Sequence, residues 1–416
     1  MSVLIAHTGA GVFVRNSVQA LHEAGLLQTF ATTLVADPDA LWQRVLAAAS
    51  SALGVSVSPL QRRPAPEVPR ALLRSHPNRE LLRTLCSRFD RSGVLTDRIW
   101  HWMTLDFDRW SASLIDAETK AVYGYEYNAL ALFQRAAAMG LPRILELPCA
   151  EHEYISEMQA HEWSRLNQPE SAYMRHARQQ RVARTARRRA EFALATCVIV
   201  NSEHTLSTYR HAGLHTDHFH VLPLGAEIPV DSELQALVPA PHPRLIWAGN
   251  FSVAKGAHLL LEALGSLDGD LALGVDAYGS VALPDALCQA QNARLRIHGP
   301  VPRADLFAAF RHADALILPS LSDGWGLVVT EALAHGLPVL TTPAVGASGL
   351  IRDGINGRVF EAGSAGALRD ILIWCATHRA QLQAMRPAAR AAIESWQWPD
   401  YRRALGRIVS EHVAGA

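Results

Sequence analysis

Twice along this chain, short apolar runs of strand length alternate with longer helix-like segments. That alternation leaves few folds open, because it marks parallel sheets covered by helices. In the first stretch Val3–Ala6 reads as a strand, followed by a glycine loop and a helix over Phe13–Ala24. Further strands are expected at Phe30–Val35, Ala121–Tyr123, Ile144–Leu147 and Cys197–Val200, with helices at Tyr127–Met139 and Tyr173–Ala193. Val57–Trp110 breaks the rhythm: it is proline-rich, then basic, then aromatic, and reads as a mostly helical insertion. Leu222-Pro-Leu-Gly225 and Val238-Pro-Ala-Pro-His-Pro243 read as an interdomain linker. The second stretch has strands at Leu245–Ala248, Leu271–Val275, Leu295–Ile297, Ala315–Leu318, Val339–Thr341 and Arg358–Phe360.

The fold class is therefore α/β, with two Rossmann-like doubly wound domains facing across a cleft. The first is expected over residues 1–223, with its insertion at about 57–110, and the second over 244–395. The tail 396–416 reads as a helix, expected to pack back on the first domain. In open parallel sheets ligands sit at the carboxyl ends of strands, so chemistry is expected between the domains.

Composition narrows the function classes. A length of 416 residues suits two domains, and a hydrophobic fraction of 49% gives each a core. The 39 basic and 39 acidic side chains cancel, which disfavours a nucleic-acid partner. The opening Met-Ser-Val-Leu-Ile-Ala-His7 reads as a first strand with no cationic leader. No apolar run approaches the roughly 18–20 residues that span a bilayer. The five scattered cysteines point to reduced thiols and a cytoplasmic protein, with neither a disulfide framework nor a metal site. Lys120 and Lys255 are the two lysines among 39 basic residues; the rest are arginine.

The segment Ser320-Leu-Ser-Asp-Gly-Trp-Gly-Leu-Val-Val-Thr-Glu331 carries the strongest chemistry. It follows the strand Ala315–Leu318 and runs into a helix. Gly324 and Gly326 let backbone approach a ligand closely, and the free N–H groups at the helix start favour a diphosphate. Asp323 and Glu331 can look into one cleft, separated by roughly the length of a sugar nucleotide. The plain alternative is a strand–helix turn capped by Asp323, with Glu331 facing solvent. Lys255, at the end of the loop Gly249–Lys255, can meet phosphate oxygens as a compact point charge.

Together these residues resemble the retaining glycosyltransferases of family 4, which have the GT-B fold. Asp323, seven intervening positions and Glu331 are similar to that family's acidic pair, with aspartate in the first place. Gly324-Trp325-Gly326, Lys255-Gly256, Gly299-Pro300-Val301 and Asp353-Gly-Ile-Asn-Gly357 match further family segments. The resemblance implies that Lys255 holds the donor diphosphate and Glu331 the ribose hydroxyls. It implies that Asp323 contacts the donor sugar, that Gly324, Trp325, Gly326 and Leu327 line the donor, and that Val301 presents its backbone to the base. The family's second phosphate cation, five positions before the lysine, is replaced by Asn250. Arg15 and Arg303 are then candidates, by position, for the missing charge.

In the first half, Gly9 and Gly11 follow the first strand and are candidates for touching the donor phosphate or the acceptor. Glu151 and His152 follow another strand, and the family commonly uses a histidine there against the donor sugar. Tyr125 and Glu126 are candidates for the acceptor side. The arginines Arg175, Arg178, Arg181, Arg184 and Arg187–Arg189 spread around one helix, which favours a solvated helix over a face for anionic membrane. Trp100, Trp102, Phe107 and Trp110 read as core, and the region Arg62–Arg91 as a place where acceptor choice is shaped.

The implied function is a retaining hexosyltransferase taking its sugar from a UDP- or GDP-linked donor, without cofactor or metal. The acceptor is expected to be a saccharide or a lipid-linked one, with bacterial surface polysaccharide or glycoconjugate synthesis as the setting. Peripheral contact with the inner face of the membrane goes with the lipid-linked case. A nucleotide-sugar epimerase of the same fold and an inactive nucleotide-sugar-binding protein are the competing readings.

Overall fold

The structure, a computed structural model, describes residues 2–35, 67–229, 241–288 and 293–415. The start of the expected insertion, Arg62 included, and residues 238–240 of the proline-rich linker lie outside them.

The first domain is one seven-stranded parallel sheet in the order β3-β2-β1-β4-β5-β6-β7. Its elements run β1 (Val3–Ala6), α1 (Val12–Glu23), β2 (Leu27–Thr32), β3 (Leu73–Ser75), α2 (Asn78–Cys86), α3 (Val94–Ser113) and β4 (Ala121–Tyr125). They continue with α4 (Leu130–Ala138), β5 (Arg143–Leu147), α5 (His152–Leu166), α6 (Ala172–Leu194), β6 (Cys197–Val200), α7 (Glu203–His211) and β7 (Phe219–Val221). The inner strands β1, β4 and β6 are buried at every residue. Parallel strands covered on both faces take such continuous apolar runs, and these are the runs that the sequence makes visible.

The second domain is a six-stranded parallel sheet in the order β10-β9-β8-β11-β12-β13. Its strands are β8 (Arg244–Ala248), β9 (Gly274–Tyr278), β10 (Leu295–Gly299), β11 (Ala315–Leu318), β12 (Val339–Thr341) and β13 (Gly357–Val359). Its helices are α8 (Ala257–Gly265), α9 (Asp285–Cys288), α10 (Arg303–His312), α11 (Leu327–Ala334), α12 (Ala365–Thr377), α13 (Arg379–Ala384), α14 (Arg386–Ala391) and α15 (Trp398–Ala414). Strand order reverses between β1 and β4 in one sheet and between β8 and β11 in the other. Those two switch points are where a doubly wound sheet opens a crevice for ligands.

Three expectations are refined. The described part of the insertion is mostly helical, through α2 and α3, and its short strand β3 joins the sheet edge beside β2. The strand expected at Leu271–Val275 begins at Gly274, because Leu271 is still in a turn closed on Asp268 O at 3.1 Å. The expected linker is pinned down over Leu222–Ala226. Leu222, Leu224 and Ala226 are buried, and Ala226 bridges to Gln397 just before α15.

Helix α15 crosses back and lies along α1. It starts in a capping box between Gln397 and Asp400, with Pro399 in the first turn. One core cluster runs through Val18 of α1, Leu316 of β11, Leu333 of α11, and Tyr401 and Leu405 of α15. Beneath α15 lies Glu146 of β5. Tyr123 Oη donates to it at 2.6 Å and Ser17 Oγ at 3.3 Å, and Ser17 is 2.9 Å from Tyr401 Oη. Burial pushes this carboxyl up to about 7, against the opposing pull of those hydrogen bonds.

A carboxyl raised on folding contributes its full stability below its unfolded value and loses it as pH rises through its folded value. The thermal midpoint is therefore expected to fall between about pH 5 and 8. Glu146→Gln, neutral throughout, should flatten that part of a calorimetric pH profile. An unchanged slope in the variant would assign the effect to another group.

Candidate functional site

The loops at the carboxyl ends of β8 and β11 pack on each other. Gly256 has φ of +76° and starts α8, and a Cβ there would stand 2.1 Å from Pro319 O. Leu321 N–H donates to Ala254 O at 2.9 Å. This contact delivers Lys255 to Asp323, and Lys255 Nζ is ion-paired with Asp323 Oδ2. Asp323 is also held through its backbone: its N–H donates to Ala344 O at 2.9 Å and its carbonyl accepts from Gly346 N–H at 3.0 Å. Gly326, at φ of +81°, opens α11 without a side-chain cap. The uncapped N–H groups of that first turn remain for an anion. Trp325 is buried behind the loop, its indole Nε1 without a hydrogen-bond partner.

Glu331 lies in the second turn of α11, 2.9 Å from Arg303 Nη2. Burial raises its carboxyl and Arg303 opposes that rise. Arg303 opens α10, two residues after Val301, and also stands 3.9 Å from Glu227. Arg303 is thus ion-paired with Glu331 in this structure. Arg15, in the first turn of α1, has a buried Nε with no hydrogen-bond partner. Asn250 is exposed and accepts from Ser280 Oγ at 3.3 Å.

The first domain closes on the same loop. A Cβ on Gly324 would stand 2.0 Å from Pro148 O, in the loop between β5 and α5. Gly324 O accepts from Ser202 Oγ at 2.6 Å and Thr205 Oγ1 at 3.3 Å, and His204 Nε2 is 3.1 Å from Ser322 Oγ. Sequence reasoning missed Ser202, His204 and Thr205. Their signal was the short Asn-Ser-Glu-His-Thr205 stretch after β6, where Ser202 caps α7 by accepting from Thr205 N–H. Burial pushes the Cys149 thiol, next to Pro148, up to about 11, with Glu126 and Asp323 adding to the rise and Lys255 and Arg188 opposing it.

His152 is the first residue of α5. Its Nε2 is buried without a partner, and burial followed by Arg188 holds its pKa down to about 4. The ring is neutral near pH 7. Glu126 lies 3.3 Å from Arg188 Nε, and its carboxyl is raised by burial.

Two acceptor-side candidates are engaged inside the first domain. Glu151 caps α5, accepting from Glu153 and Tyr154 N–H at 2.7 and 3.0 Å, and pairs with Arg189 at 3.4 Å. Its lone pairs are used in holding the helix. Tyr125 is buried in the core, its ring 4.5 Å from that of His7 and 5.9 Å from that of Phe13. Gly9 donates to His7 Nδ1 at 2.9 Å and Gly11 precedes α1. Neither glycine has positive φ, and an added Cβ would meet nothing nearer than 3.7 Å at Gly9 or 3.8 Å at Gly11. The fold itself does not demand glycine at either position.

The arginine helix α6 divides in two. Arg175, Arg178 and Arg181 in its first half are exposed, and the later arginines reach different neighbours. Arg184 pairs with Asp97 of α3, Arg187 with Asp108 of α3 and Glu191 within α6, and Arg189 with Glu151 and Glu153. These are internal ties, confined to the second half of the helix. Of the aromatic group, Phe107 is core and Trp110 stacks on His76 at 5.0 Å. Trp102 is exposed beneath Arg79, and Trp100 stacks on Tyr127 at 5.2 Å. Among the described residues no group of three or more His, Cys, Asp or Glu side chains is placed to hold a metal ion, and no helix is long and apolar enough to cross a membrane.

Two facing parallel-sheet domains with their ligand loops in the cleft define the GT-B class, and comparisons agree. Residues 242–378 match the family model described as glycosyl transferases group 1. The D-inositol 3-phosphate glycosyltransferases of Mycobacterium bovis and Mycobacterium tuberculosis are 30% identical over 201 residues, which take in 44% of this chain and 40% of the relative. The chain thus matches less than half the length of these curated relatives. Sucrose-phosphate synthase from Thermosynechococcus elongatus superposes with a TM-score of 0.64 at 16% identity, covering 100% of both chains. Anabaena HepE in complex with UDP and glucose superposes with a TM-score of 0.60 at 16% identity, again over 100% of both. Likeness at that identity establishes the fold.

Proposed function

We propose that this chain is a retaining glycosyltransferase. It moves a hexose from a UDP- or GDP-linked donor to a saccharide or glycolipid acceptor. The observation that carries this reading is the joining of Lys255, Asp323 and the Gly324–Gly326 loop at the switch point of the second sheet, with Glu331 one turn further on. In the proposal Lys255 and the first turn of α11 hold the diphosphate, Glu331 the ribose, Asp323 the donor sugar, and the backbone of Val301 the base. Neutral His152 hydrogen-bonds the donor sugar from the other side. The open loop at Gly9 and Gly11 leaves room for the phosphate, and Arg15 supplies the second cation that Asn250 does not.

The proposed step is front-face. The bond from the anomeric carbon to the diphosphate oxygen breaks, the acceptor oxygen bonds to that carbon, and the hydroxyl proton passes to the leaving diphosphate. Fixed dipoles and Lys255 meet the charge where it develops, so no metal enters the proposal. Relatives named for glycosyl transfer and a neighbour solved with UDP and glucose support the reading. Bacterial surface polysaccharide or glycoconjugate synthesis in the cytoplasm is the proposed setting, and a lipid-linked acceptor would bring the chain to the membrane face.

The test is a thermal-shift screen of UDP and GDP, then transfer assays with the selected donor. A nucleotide at about a hundred times its Kd should stabilise the native state by about 2.7 kcal/mol. An α-linked donor should yield an α-linked product by NMR. A β-linked product overturns retention, conversion of the donor without acceptor supports an epimerase, and no nucleotide binding overturns the donor site.

A further inference from the structure

A cavity of about 980 Å3 lies in the first domain between α3, α5 and α6. Its size is at the upper end of ordinary small-ligand sites, about 300–1,000 Å3. Trp100, His152, Trp163, Tyr173, Arg181 and Arg188 stand on its walls. His152 follows the loop that Gly324 touches, so the cavity begins where the donor loop ends.

Five arginines and three carboxylates line this space, and the carboxylates are already committed. Asp97 takes Arg184 and His176. Glu170 takes Arg178 at 3.1 Å. Asp90 accepts from Ser92 Oγ and Thr96 N–H, both at 2.7 Å. Arg83 is bound by Glu80 outside the wall. Two arginines keep donors to offer. Arg181 is exposed and has no hydrogen bond or ion pair among the described residues. Arg188 lies 4.4 Å over the Tyr127 ring and is ion-paired through Nε with Glu126 at 3.3 Å, while its Nη1 is buried with no hydrogen-bond partner. His152 Nε2 is likewise buried and unpartnered. A buried polar atom left without a partner is costly, so these atoms suit an oxygen-rich ligand. Tyr127, which carries Arg188, is held at φ of +74°, a strained backbone for a non-glycine residue.

We propose that this cavity is the acceptor site and that the acceptor carries a phosphate or carboxylate group held by Arg181 and Arg188, with its sugar ring against Trp100 or Tyr173. The proposal rests on the glycosyltransferase reading for the word acceptor, while the anion site stands on the cavity alone. Guanidinium forks suit both anions, and indole and phenol faces suit sugar rings.

The test is calorimetric titration of the full chain, with UDP present and at low salt, using glucose 6-phosphate, glucuronate and glucose. Both anions should bind, and glucose roughly tenfold more weakly or worse. Arg181→Gln, a change at an exposed and unpaired side chain, should weaken the anions roughly tenfold. Arg181→Lys should recover most of that loss, and Arg210→Gln on α7, away from the cavity, should change nothing. Equal binding of glucose and glucose 6-phosphate, or anion binding unaffected by Arg181→Gln, overturns the proposal. Sedimentation with phosphatidylglycerol vesicles separates the sources. Capture by vesicles that glucose 6-phosphate does not compete away assigns the arginines to a lipid headgroup and overturns the saccharide acceptor. UDP binding without any acceptor tests the donor reading separately, so one can fail while the other stands.

Discussion

Lys255→Ala is expected to lower kcat/KM by about a hundredfold to a thousandfold, the usual loss when one preorganised charge partner of a leaving group is removed. Lys255 is partly exposed, with side-chain accessibility of 26%, and Asp323 has 16%. An ion pair that solvent reaches contributes little to folding, so the variant should keep its circular dichroism spectrum and thermal midpoint. Lys255→Arg should not restore activity. The guanidinium fork is broader than an ammonium, and the lysine sits between the Pro319 backbone contact of Gly256 and the carboxylate of Asp323. Glu331→Ala frees Arg303 and, on the proposed reading, removes the ribose partner, so its loss should appear mainly in KM for the donor. The two variants therefore differ in kind, one in the chemical step and one in uniform binding. Nucleoside diphosphate release under saturating and limiting donor separates them. Wild-type rates in both variants would remove these residues from the donor site.

Much of this site was legible because its parts are local. Short apolar strands such as Ala315–Leu318 stand out between helices, and the glycines and Asp323 follow directly in the chain. The switch-point rule alone then places those loops in the cleft. What was not legible depends on distant partners. The edge strands β3 and β7 have three residues each, none of them fully buried, so they lack the apolar run of the inner strands. Glu151 looked free because its capping of α5 depends on where that helix begins. The arginines in the second half of α6 looked like part of a solvated set because they answer carboxylates elsewhere in the fold, as Arg184 answers Asp97. Their scatter in sequence is the trace of three-sided packing. The same long-range pairing hid Arg181, which has no ion pair among the described residues.

Gly324→Ala is expected to affect both stability and activity, for one geometric reason. The new Cβ would stand 2.0 Å from Pro148 O, 3.0 Å from Pro148 C and 3.1 Å from Cys149 Cα. All three are backbone atoms, so no side-chain rotation relieves the contact. Moving the loop instead would break the hydrogen bonds from Ser202 and Thr205 to Gly324 O and disturb the pairing of Asp323 with residues 344 and 346. Overpacking of this kind costs about 1–3 kcal/mol. A displacement of about 1 Å at reacting groups costs about a hundredfold in rate. The thermal midpoint should fall and kcat should fall with it, while Gly349→Ala, where an added Cβ meets nothing within 4 Å, should leave the midpoint unchanged. If the domains separate to relieve the clash, the midpoint changes little but small-angle scattering should show a longer particle and activity should still be lost. Either result means that the contact of Gly324 with Pro148 is populated in solution and belongs to the working closed form. A Gly324→Ala protein with wild-type midpoint, shape and rate would mean that catalysis proceeds with the domains apart at this loop, and that His152 reaches the donor sugar only after a motion away from this arrangement.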